Sequence, residues 1–322
     1  MGLRTGATAE EVVAAIEARH VTRSWPMRGT LHLMATEDVR WMCRLLNPRL
    51  ERSMGPRLAQ LELTPAVVDE AREVVLAALA DEPVLTRGEL FEVLRRADIE
   101  PAGQRGIHLL GGFCREGLLC QGPPRGSSAT FVVLDEWAPW LADRPEPTRE
   151  EAMAALAERY VRGHGPVTVA DLARWCGQTL TFAREAVALA GDRLRPEESG
   201  GPGGGAYLVH VDEPQSAARA GTHLVPGFDE LVLGYGDRSA LLTREQEARV
   251  VPGGNGMFLG TVVSGGAVLG TWGRRATART VTVRVTPFDA ASVTETRRRA
   301  VARAAQAYGR HLGLPATLEW AE

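Results

Sequence analysis

The chain has 322 residues, of which 44% are hydrophobic and 24% are charged, a composition typical of a folded globular protein and not of a disordered one. All 37 basic residues are arginine, and this absence of lysine excludes reactions that need a lysine amine, such as a pyridoxal Schiff base, a Walker A phosphate site or an imine-forming DNA lyase. The net charge of −3 argues against a protein that coats nucleic acid through bulk charge. Residues 271–314 nevertheless contain nine arginines and two acidic residues, which indicates a local surface for a polyanion.

The sequence also lacks several signals of location and metal binding. It has no signal peptide and no apolar run of 18 residues, so we predict a cytoplasmic protein without a membrane partner. The four cysteines, at positions 43, 114, 120 and 176, show no CxxC spacing. We therefore expect buried free thiols, no metal site and no cofactor, in a monomer.

The first 60 residues have the pattern of half a module. Residues 1–6 resemble the end of an element, and Thr8 with Glu11 forms a capping box that predicts a helix start. A helix followed by two strands is the second half of a winged helix, so residues 1–60 are predicted to be an incomplete first winged helix. The elements predicted after the first helix are strand-like runs at His20–Trp25 and Met27–Met34 and a helix at Asp38–Leu46 that ends at Asn47-Pro48.

Residues 61–142 have the complete pattern of a winged helix, and the same order returns about 82 residues later in residues 148–212. In the second copy, the glycine-rich Glu197–Gly205 is interpreted as a wing loop. The first copy is predicted to contain helices at Pro65–Ala80, Arg87–Arg96 and Ile107–Glu116 and strands at Gly117–Cys120 and Ala129–Leu134.

From residue 221 to residue 322 the pattern becomes β-rich and ends in a helix, residues 292–312. Ser264-Gly-Gly266 predicts a tight hairpin turn among strands at Met257–Val263, Ala267–Trp272 and Thr280–Val285. The fold class predicted for the whole chain is α+β, with tandem winged-helix (helix-turn-helix) domains, a C-terminal β-rich element and a terminal helix.

One candidate DNA-binding group lies in the first pair of strands. Alternation with a period of two places Trp25, Met27, Leu31 and Leu33 on one face and Arg28, Thr30 and His32 on the other. A cation, a hydroxyl and an imidazole on one face could bind a phosphate or a base edge. The alternative is that Arg28 and His32 are satisfied at a domain interface.

The third helix of each winged helix would read the major groove in a DNA-binding regulator. In the second module this helix offers Arg105, His108 and Arg115, and in the third it offers Arg184. Neither helix is strongly basic, so packing of one domain against another is equally compatible with the pattern.

The C-terminal region contains two further groups of candidates. Trp272, Arg274 and Arg275 combine a stacking aromatic ring with two guanidinium groups, which suits nucleic acid. Asp229, Asp237, Arg238 and Asn255 lie in glycine-punctuated segments that could line a cleft, where a carboxylate could act as a base or an electrostatic partner. The alternative is a buried Asp237 and Arg238 set that caps backbone amides.

Five segments of this sequence, taken in order, resemble the winged-helix DNA-binding family of AlkZ-like DNA glycosylases. The resemblance spans nearly the whole chain and implies three tandem winged helices around a positively charged channel for duplex DNA. It also implies monofunctional hydrolysis of the N-glycosidic bond of alkylated or crosslinked purines, with double-stranded DNA as the partner. The segments are Ser24–Leu33, Leu224–Glu230, Gly234–Ser239, Val251–Phe258 and Gly270–Trp272.

The catalytic signature that the resemblance implies, Gln-x-Gln, lies on the N-terminal side of the segment that matches Gly2–Gly6. The first glutamine here is Gln60, so this polypeptide is expected to be N-terminally truncated and defective in catalysis, and no catalytic residue is assigned. Two alternatives stay open. One is a non-catalytic winged-helix DNA-binding or regulatory protein, and the other is a self-resistance protein that binds a genotoxin.

Overall fold

The computed structural model describes residues 2–197, 206–213, 221–254 and 256–321. Helices and strands both contribute widely, which confirms the α+β class. The helices are α1 (Gly2–Thr5), α2 (Ala9–Glu17), α3 (Val39–Gln60), α4 (Pro65–Asp81), α5 (Arg87–Arg96), α6 (Arg105–Arg115), α7 (Leu134–Trp137), α8 (Arg149–His164), α9 (Val169–Cys176), α10 (Leu180–Ala190), α11 (Glu230–Leu233), α12 (Arg244–Val250) and α13 (Glu295–Leu312). The strands are β1 (Val21–Met27), β2 (Thr30–Ala35), β3 (Leu85–Thr86), β4 (Leu119–Cys120), β5 (Thr130–Val133), β6 (Leu194–Pro196), β7 (Leu208–His210), β8 (Thr222–Val225), β9 (Gly260–Ser264), β10 (Ala267–Ala276), β11 (Val281–Pro287) and β12 (Ala316–Trp320).

The backbone forms two compact units. The N-terminal unit comprises Val13–Leu156 and Cys176–Leu189, and the C-terminal unit comprises Met1–Val12, Ala157–Trp175 and Ala190–Glu322. The elements of the predicted third winged helix are divided between these two units, and most of its predicted wing, residues 198–205, lies outside the described residues. The division of the chain at residues 61–142 and 148–212 stays a prediction.

In the N-terminal unit, α4, α5 and α6 pack on a three-stranded sheet with the order β3-β5-β4, which is the element order of a winged helix. Local chemistry fixes the helix starts. Thr86 and Glu89 make a reciprocal capping box at α5, and the Thr64 hydroxyl accepts from Val67 N at α4. Gly106 is required because a Cβ there would lie 2.5 Å from the Phe91 ring.

Consecutive residues of β4 and β5 point to opposite faces of this sheet, so the two strands separate two cores. Leu119 and Phe131 pack with α4, α5 and α6, whereas Cys120 and Val132 pack with α2 and α3. All four cysteines are buried and free, as predicted. Burial raises the pKa of the Cys43 and Cys120 thiols to about 12.

The predicted end of a helix at Asn47-Pro48 is wrong, because α3 continues through Pro48 and Pro56 to Gln60. Each proline removes one backbone donor, but tertiary contacts hold the helix. Asn47 is buried, and its amide nitrogen donates to the carbonyls of Trp25 and Arg115, both at 2.9 Å. The helix is therefore stabilised by its neighbours rather than by its local sequence.

We expect Asn47→Ala to destabilise the protein by roughly 2–4 kcal/mol, because two carbonyls would lose a buried donor. Urea unfolding followed by circular dichroism measures this loss. Ser53→Ala, an exposed position on the same helix, serves as the control and should change the free energy of unfolding by less than about 0.5 kcal/mol. An equal effect of both substitutions would contradict the structural role of Asn47.

In the C-terminal unit, a five-stranded sheet has the order β12-β11-β10-β9-β8. Gly265 and Gly266 have φ of 65° and 85° in the turn between β9 and β10, which confirms the predicted hairpin. Strand β12, which the sequence reading missed, pairs in parallel with β11 after the crossover through α13. Alternation buries both faces at β9, because Val262 packs with α13 and Val263 packs with α11 and α12.

Candidate nucleic-acid interface

The first candidate group lies at the turn between β1 and β2. Arg28 and Gly29 have φ of 55° and 67°, so Arg28 occupies the turn and not the strand that was predicted for it. Simple alternation also fails because the register shifts between Ser24 and Met27, and Leu31 is 45% exposed instead of packing with its predicted neighbours. The alternation of apolar and polar residues does not show where a strand has a bulge or where a turn adopts positive φ, so neither feature could be predicted from it.

The turn still brings the three predicted polar residues together. The Nδ1 atom of His32 donates to the carbonyl of Thr30 at 2.8 Å. Its Nε2 atom lies 3.3 Å from Arg28 Nη2, which donates to it. The hairpin thus presents a guanidinium group oriented by an imidazole, a chemistry suited to a phosphate oxygen.

Helix α6, which corresponds to the third helix of the predicted second winged helix, does not present the cations that were predicted. Arg105 donates from Nε to the carbonyl of Glu100 at 2.8 Å, and its Nη1 donates to the carbonyl of Leu61. Arg115 is buried and forms an ion pair with Glu51. Burial, together with nearby Arg115 and Arg57, lowers the pKa of His108. These side chains hold α6 in its unit, and the exposed position of the helix is the apolar Ile107.

Arg184 lies on α10 in the N-terminal unit and is exposed. Its guanidinium group is therefore available to an anion in solvent, in contrast to the arginines of α6.

The group on β10 is only partly free. Trp272 donates from its indole nitrogen to the carbonyl of Val225 at 2.8 Å and packs edge-on against Tyr308 with ring centroids 5.1 Å apart. These contacts hold the Trp272 ring within its own unit, although the sequence predicted that it would stack on a base. Arg274 and Arg275 are exposed, and because neighbouring strand residues alternate, they lie on opposite faces.

Beyond Trp272, β10 loses β9 as its partner and pairs only with β11. Residues 273–280 are all exposed, and this segment carries Arg274, Arg275 and Arg279. It is therefore a solvent-facing sheet edge with three guanidinium groups, called the arginine edge below.

Asp229, Trp272 and Arg274 line one cleft of about 900 Å³ in the C-terminal unit. Sequence reasoning missed the arginine and histidine side chains that share it. These are Arg4 of α1, His223 of β8, and Arg310 and His311 of α13. The missed residues come from three elements far apart in sequence, and no local pattern relates them.

Asp229 is the buried carboxylate of this cleft. It caps α11 by accepting from Leu231 N at 2.9 Å, and both of its oxygens accept from Arg4 at 2.7 Å. Burial alone would raise its pKa, but the bond from Arg4 and that from Leu231 N outweigh it and lower the pKa of Asp229. A carboxylate whose charge is already matched acts here as a structural anchor rather than as a base.

We expect this pair to give acid-dependent stability. A carboxyl group whose folded pKa is lowered stabilises the fold above its ordinary pKa of 3.8, and this stability is lost as the pH falls through the lower folded value. Thermal unfolding between pH 2 and pH 7 should show this loss in the wild type and a smaller one in Asp229→Asn. Identical pH profiles for the two proteins would contradict the assignment.

The segment after α11 is held by the last turn of α8 and by α9. Tyr160 donates from its hydroxyl to the carbonyl of Gly234 at 2.7 Å, and Tyr235 donates to the carbonyl of His164 at 2.8 Å. Asp171 accepts from Gly236 N at 2.7 Å. The Gly234–Ser239 segment singled out from sequence is therefore fixed by aromatic and backbone contacts.

The other residues predicted from sequence to line a cleft have different environments. Arg238 is buried, donates from Nε to the carbonyl of Val232 at 2.6 Å and pairs with Glu247, which agrees with the structural alternative. Asp237 is exposed, and its bonds to Ser239 lower its pKa, so its predicted burial is wrong. Asn255 lies outside the described residues.

The described residues contain neither a candidate metal site nor a candidate membrane span. No three or more histidine, cysteine, aspartate or glutamate side chains among them are placed to hold a metal ion. No helix in the described ranges combines the length and the apolar character needed to cross a bilayer.

Comparison with known proteins identifies the class to which this fold and this arginine-rich surface belong. The AlkZ-like DNA glycosylase family matches residues 2–311, and the chain therefore belongs to that family. An interstrand DNA cross-link repair glycosylase of Streptomyces sahachiroi is 29% identical over 280 residues, which cover 82% of this chain and 73% of that protein. The solved structure of the Streptomyces sahachiroi DNA glycosylase AlkZ superposes with a TM-score of 0.74 at 25% identity, over 96% of this chain and 84% of that one.

Proposed function

We propose that this protein binds duplex DNA and resembles enzymes that hydrolyse the N-glycosidic bond of alkylated or crosslinked purines. The chain contains no Gln-x-Gln sequence, so no residue is assigned to catalysis, and base release is the property that the experiment below decides. The observation that carries the proposal is the match of the whole fold to a DNA glycosylase, since the family covers residues 2–311 and the structural likeness covers 96% of the chain. The proposed partner is double-stranded DNA, because the Streptomyces sahachiroi relative is an interstrand DNA cross-link repair glycosylase and an interstrand cross-link joins two strands.

The chemistry places modest demands on side chains. An alkylated purine carries a positive charge and is already a good leaving group, so the enzyme mainly has to position water and stabilise an oxocarbenium-like sugar. A lysine nucleophile is not needed for hydrolysis, and the chain has none. The product is then an abasic site in an intact strand.

The DNA contacts are proposed at one partly buried arginine and at three exposed ones. These are Arg28 at the hairpin turn, Arg184 on α10, and Arg274 and Arg275 on the arginine edge. Their guanidinium groups suit phosphate oxygens, which they can bind in a bidentate manner. Arg105, Arg115 and Trp272 are left out of this set because their polar groups are engaged within their own units.

The experiment uses duplex DNA with a single 7-alkylguanine and an unmodified duplex of the same sequence. Abasic sites that accumulate only in the alkylated duplex support hydrolysis. Binding of both duplexes without abasic sites supports the alternative of a non-catalytic DNA-binding protein. Absence of binding to either duplex would overturn both readings.

A further inference from the structure

A cleft of about 420 Å³ in the N-terminal unit brings together arginines that the site described above does not include. One face of α3 forms its floor, because the lining residues of this helix are spaced by one or three residues and so lie on the same side of it. They are Arg44, Leu45, Pro48, Arg49 and Arg52. The opposite wall comes from residues 146–152 and from Gln178 and Phe182. The buried face of α3, with Cys43, Leu46 and Asn47, points away from the cleft.

The charges in this cleft do not cancel. Four arginines line it, at positions 44, 49, 52 and 149, and Glu146 is the one acidic residue among its lining residues. Glu146 already pairs with both Arg40 and Arg44. Arg149 lies over the Phe182 ring at 5.7 Å, and Arg52 is exposed, with no hydrogen bond or ion pair to any other described residue. The uncompensated charge is therefore centred on Arg49, Arg52 and Arg149.

Gly177 connects this cleft to the hairpin turn. Its carbonyl accepts from Arg49 Nη1 at 3.2 Å, and a Cβ at this position would lie 3.0 Å from Arg28 Cγ. Arg28 and Arg49 thus both lie next to Gly177. Burial raises the pKa of the neighbouring Cys176 thiol to about 11, and both guanidinium groups oppose that rise, which agrees with their closeness.

We propose that Arg28, Arg49 and Arg52, called the arginine row, bind consecutive phosphates of one DNA strand. The proposal rests on the proposed function and adds a second contact surface to it. Side chains three residues apart on a helix are about 5–6 Å apart at Cβ, and the phosphates of one strand rise by about 3.4 Å per residue, so flexible arginine side chains can reach neighbouring phosphates.

The chemistry of the row favours a phosphodiester strand over a single small anion. Arg49 and Arg52 lie about one turn apart on α3, and Arg28 at the hairpin turn lies next to the same glycine that Arg49 contacts. Each guanidinium group is planar and can bind a phosphate with two parallel hydrogen bonds. A linear polyanion satisfies all three at once.

The test compares Arg49→Gln/Arg52→Gln with the wild type on an unmodified duplex, at a series of salt concentrations. We expect affinity to fall by roughly tenfold to a hundredfold, and the slope of log K against log salt to fall by about 2, since each lost phosphate contact lowers it by about 0.9. Adding Arg28→Gln should lower the slope by about 1 more.

The matched control is Arg87→Gln/Arg96→Gln, which removes two charges from exposed arginines of the same unit. If the control lowers the slope as much as the row variant, the effect is one of net charge and the proposal is overturned. An unchanged slope in the row variant also overturns it. A third outcome would also overturn the proposal. If a fluorescent poly-glutamate binds the wild type but not the row variant, while both bind the duplex equally well, the row binds an acidic protein instead of DNA.

This test separates the row from the proposed function. Abasic-site formation on alkylated duplex is measured separately, with protein in excess over its dissociation constant, so that weaker binding by the row variant does not limit it. If the row variant binds DNA more weakly but still releases the base when protein is saturating, the result supports a role of the row in DNA binding and not in the reaction. Absence of base release from both proteins, with the expected slopes, counts against the glycosylase proposal and leaves the row supported.

Discussion

Replacing Arg274 and Arg275 by alanine is expected to weaken duplex binding by roughly tenfold to a hundredfold, or about 1.4–2.8 kcal/mol. Both side chains are exposed on the arginine edge, and each would lose a charge-assisted bond to a phosphate. The slope of log K against log salt should fall by about 2. Fluorescence anisotropy with a labelled duplex measures both quantities.

The fold should tolerate this change. Arg274 donates a hydrogen bond to the Tyr308 hydroxyl and lies over the Tyr308 ring at 5.8 Å. Because Arg274 is exposed, the ring contact contributes only about 0.5–1 kcal/mol. The control is Arg299→Ala/Arg303→Ala, which removes two exposed arginines from α13 in the same unit. Equal losses of affinity in the two double variants, or no loss in either, would remove the arginine edge from the DNA-binding surface.

The second large effect concerns stability rather than binding. Glu51→Gln should destabilise the protein by roughly 2–4 kcal/mol, because it leaves the guanidinium group of Arg115 buried without a counter-charge. The Arg115 side chain is 6% exposed and that of Glu51 is 36% exposed, so the loss should be smaller than for a fully buried pair. Urea unfolding gives the free energy of unfolding.

A compensating variant sharpens this prediction. Arg115→Met/Glu51→Leu removes both charges and should recover most of the stability, since apolar replacement of a buried pair is often neutral. Its duplex affinity should equal that of the wild type. A stable Glu51→Gln variant, together with loss of DNA binding in the double variant, would restore Arg115 to the DNA contacts predicted from sequence.

Sequence reasoning succeeded where local chemistry decides the structure. The capping box predicted at Thr8 is observed, as is the turn predicted at Ser264–Gly266. In each case a few adjacent residues satisfy backbone donors or adopt a positive φ without help from the rest of the chain. The α+β class followed from the order of such local signals.

The same reasoning failed where residues far apart in sequence determine the local structure. Helix α3 passes Pro48 because Asn47 bonds to carbonyls of β1 and α6, and no local pattern contains those partners. Arg28 lies in a turn because the register shifts by a bulge. Strand β12 was missed because it is stabilised by pairing with β11, which its own short sequence does not indicate.

The candidate site shows the same division. Composition predicted an arginine-rich surface, and Arg274 and Arg275 are exposed in agreement with it. The sequence could not separate these cations from Arg105 and Arg115, whose partners, Leu61 and Glu51, come from other segments. The exposure of a cation depends on the fold around it, and that information is not local.

The dependence of duplex affinity on salt tests most directly the claim that exposed arginines hold DNA through its phosphates. We predict that log K for an unmodified duplex falls linearly with log salt between 50 and 300 mM, with a slope of magnitude about 3.6 or more if the arginine edge and the arginine row each neutralise at least two phosphates. An affinity that does not change over this range would contradict the account.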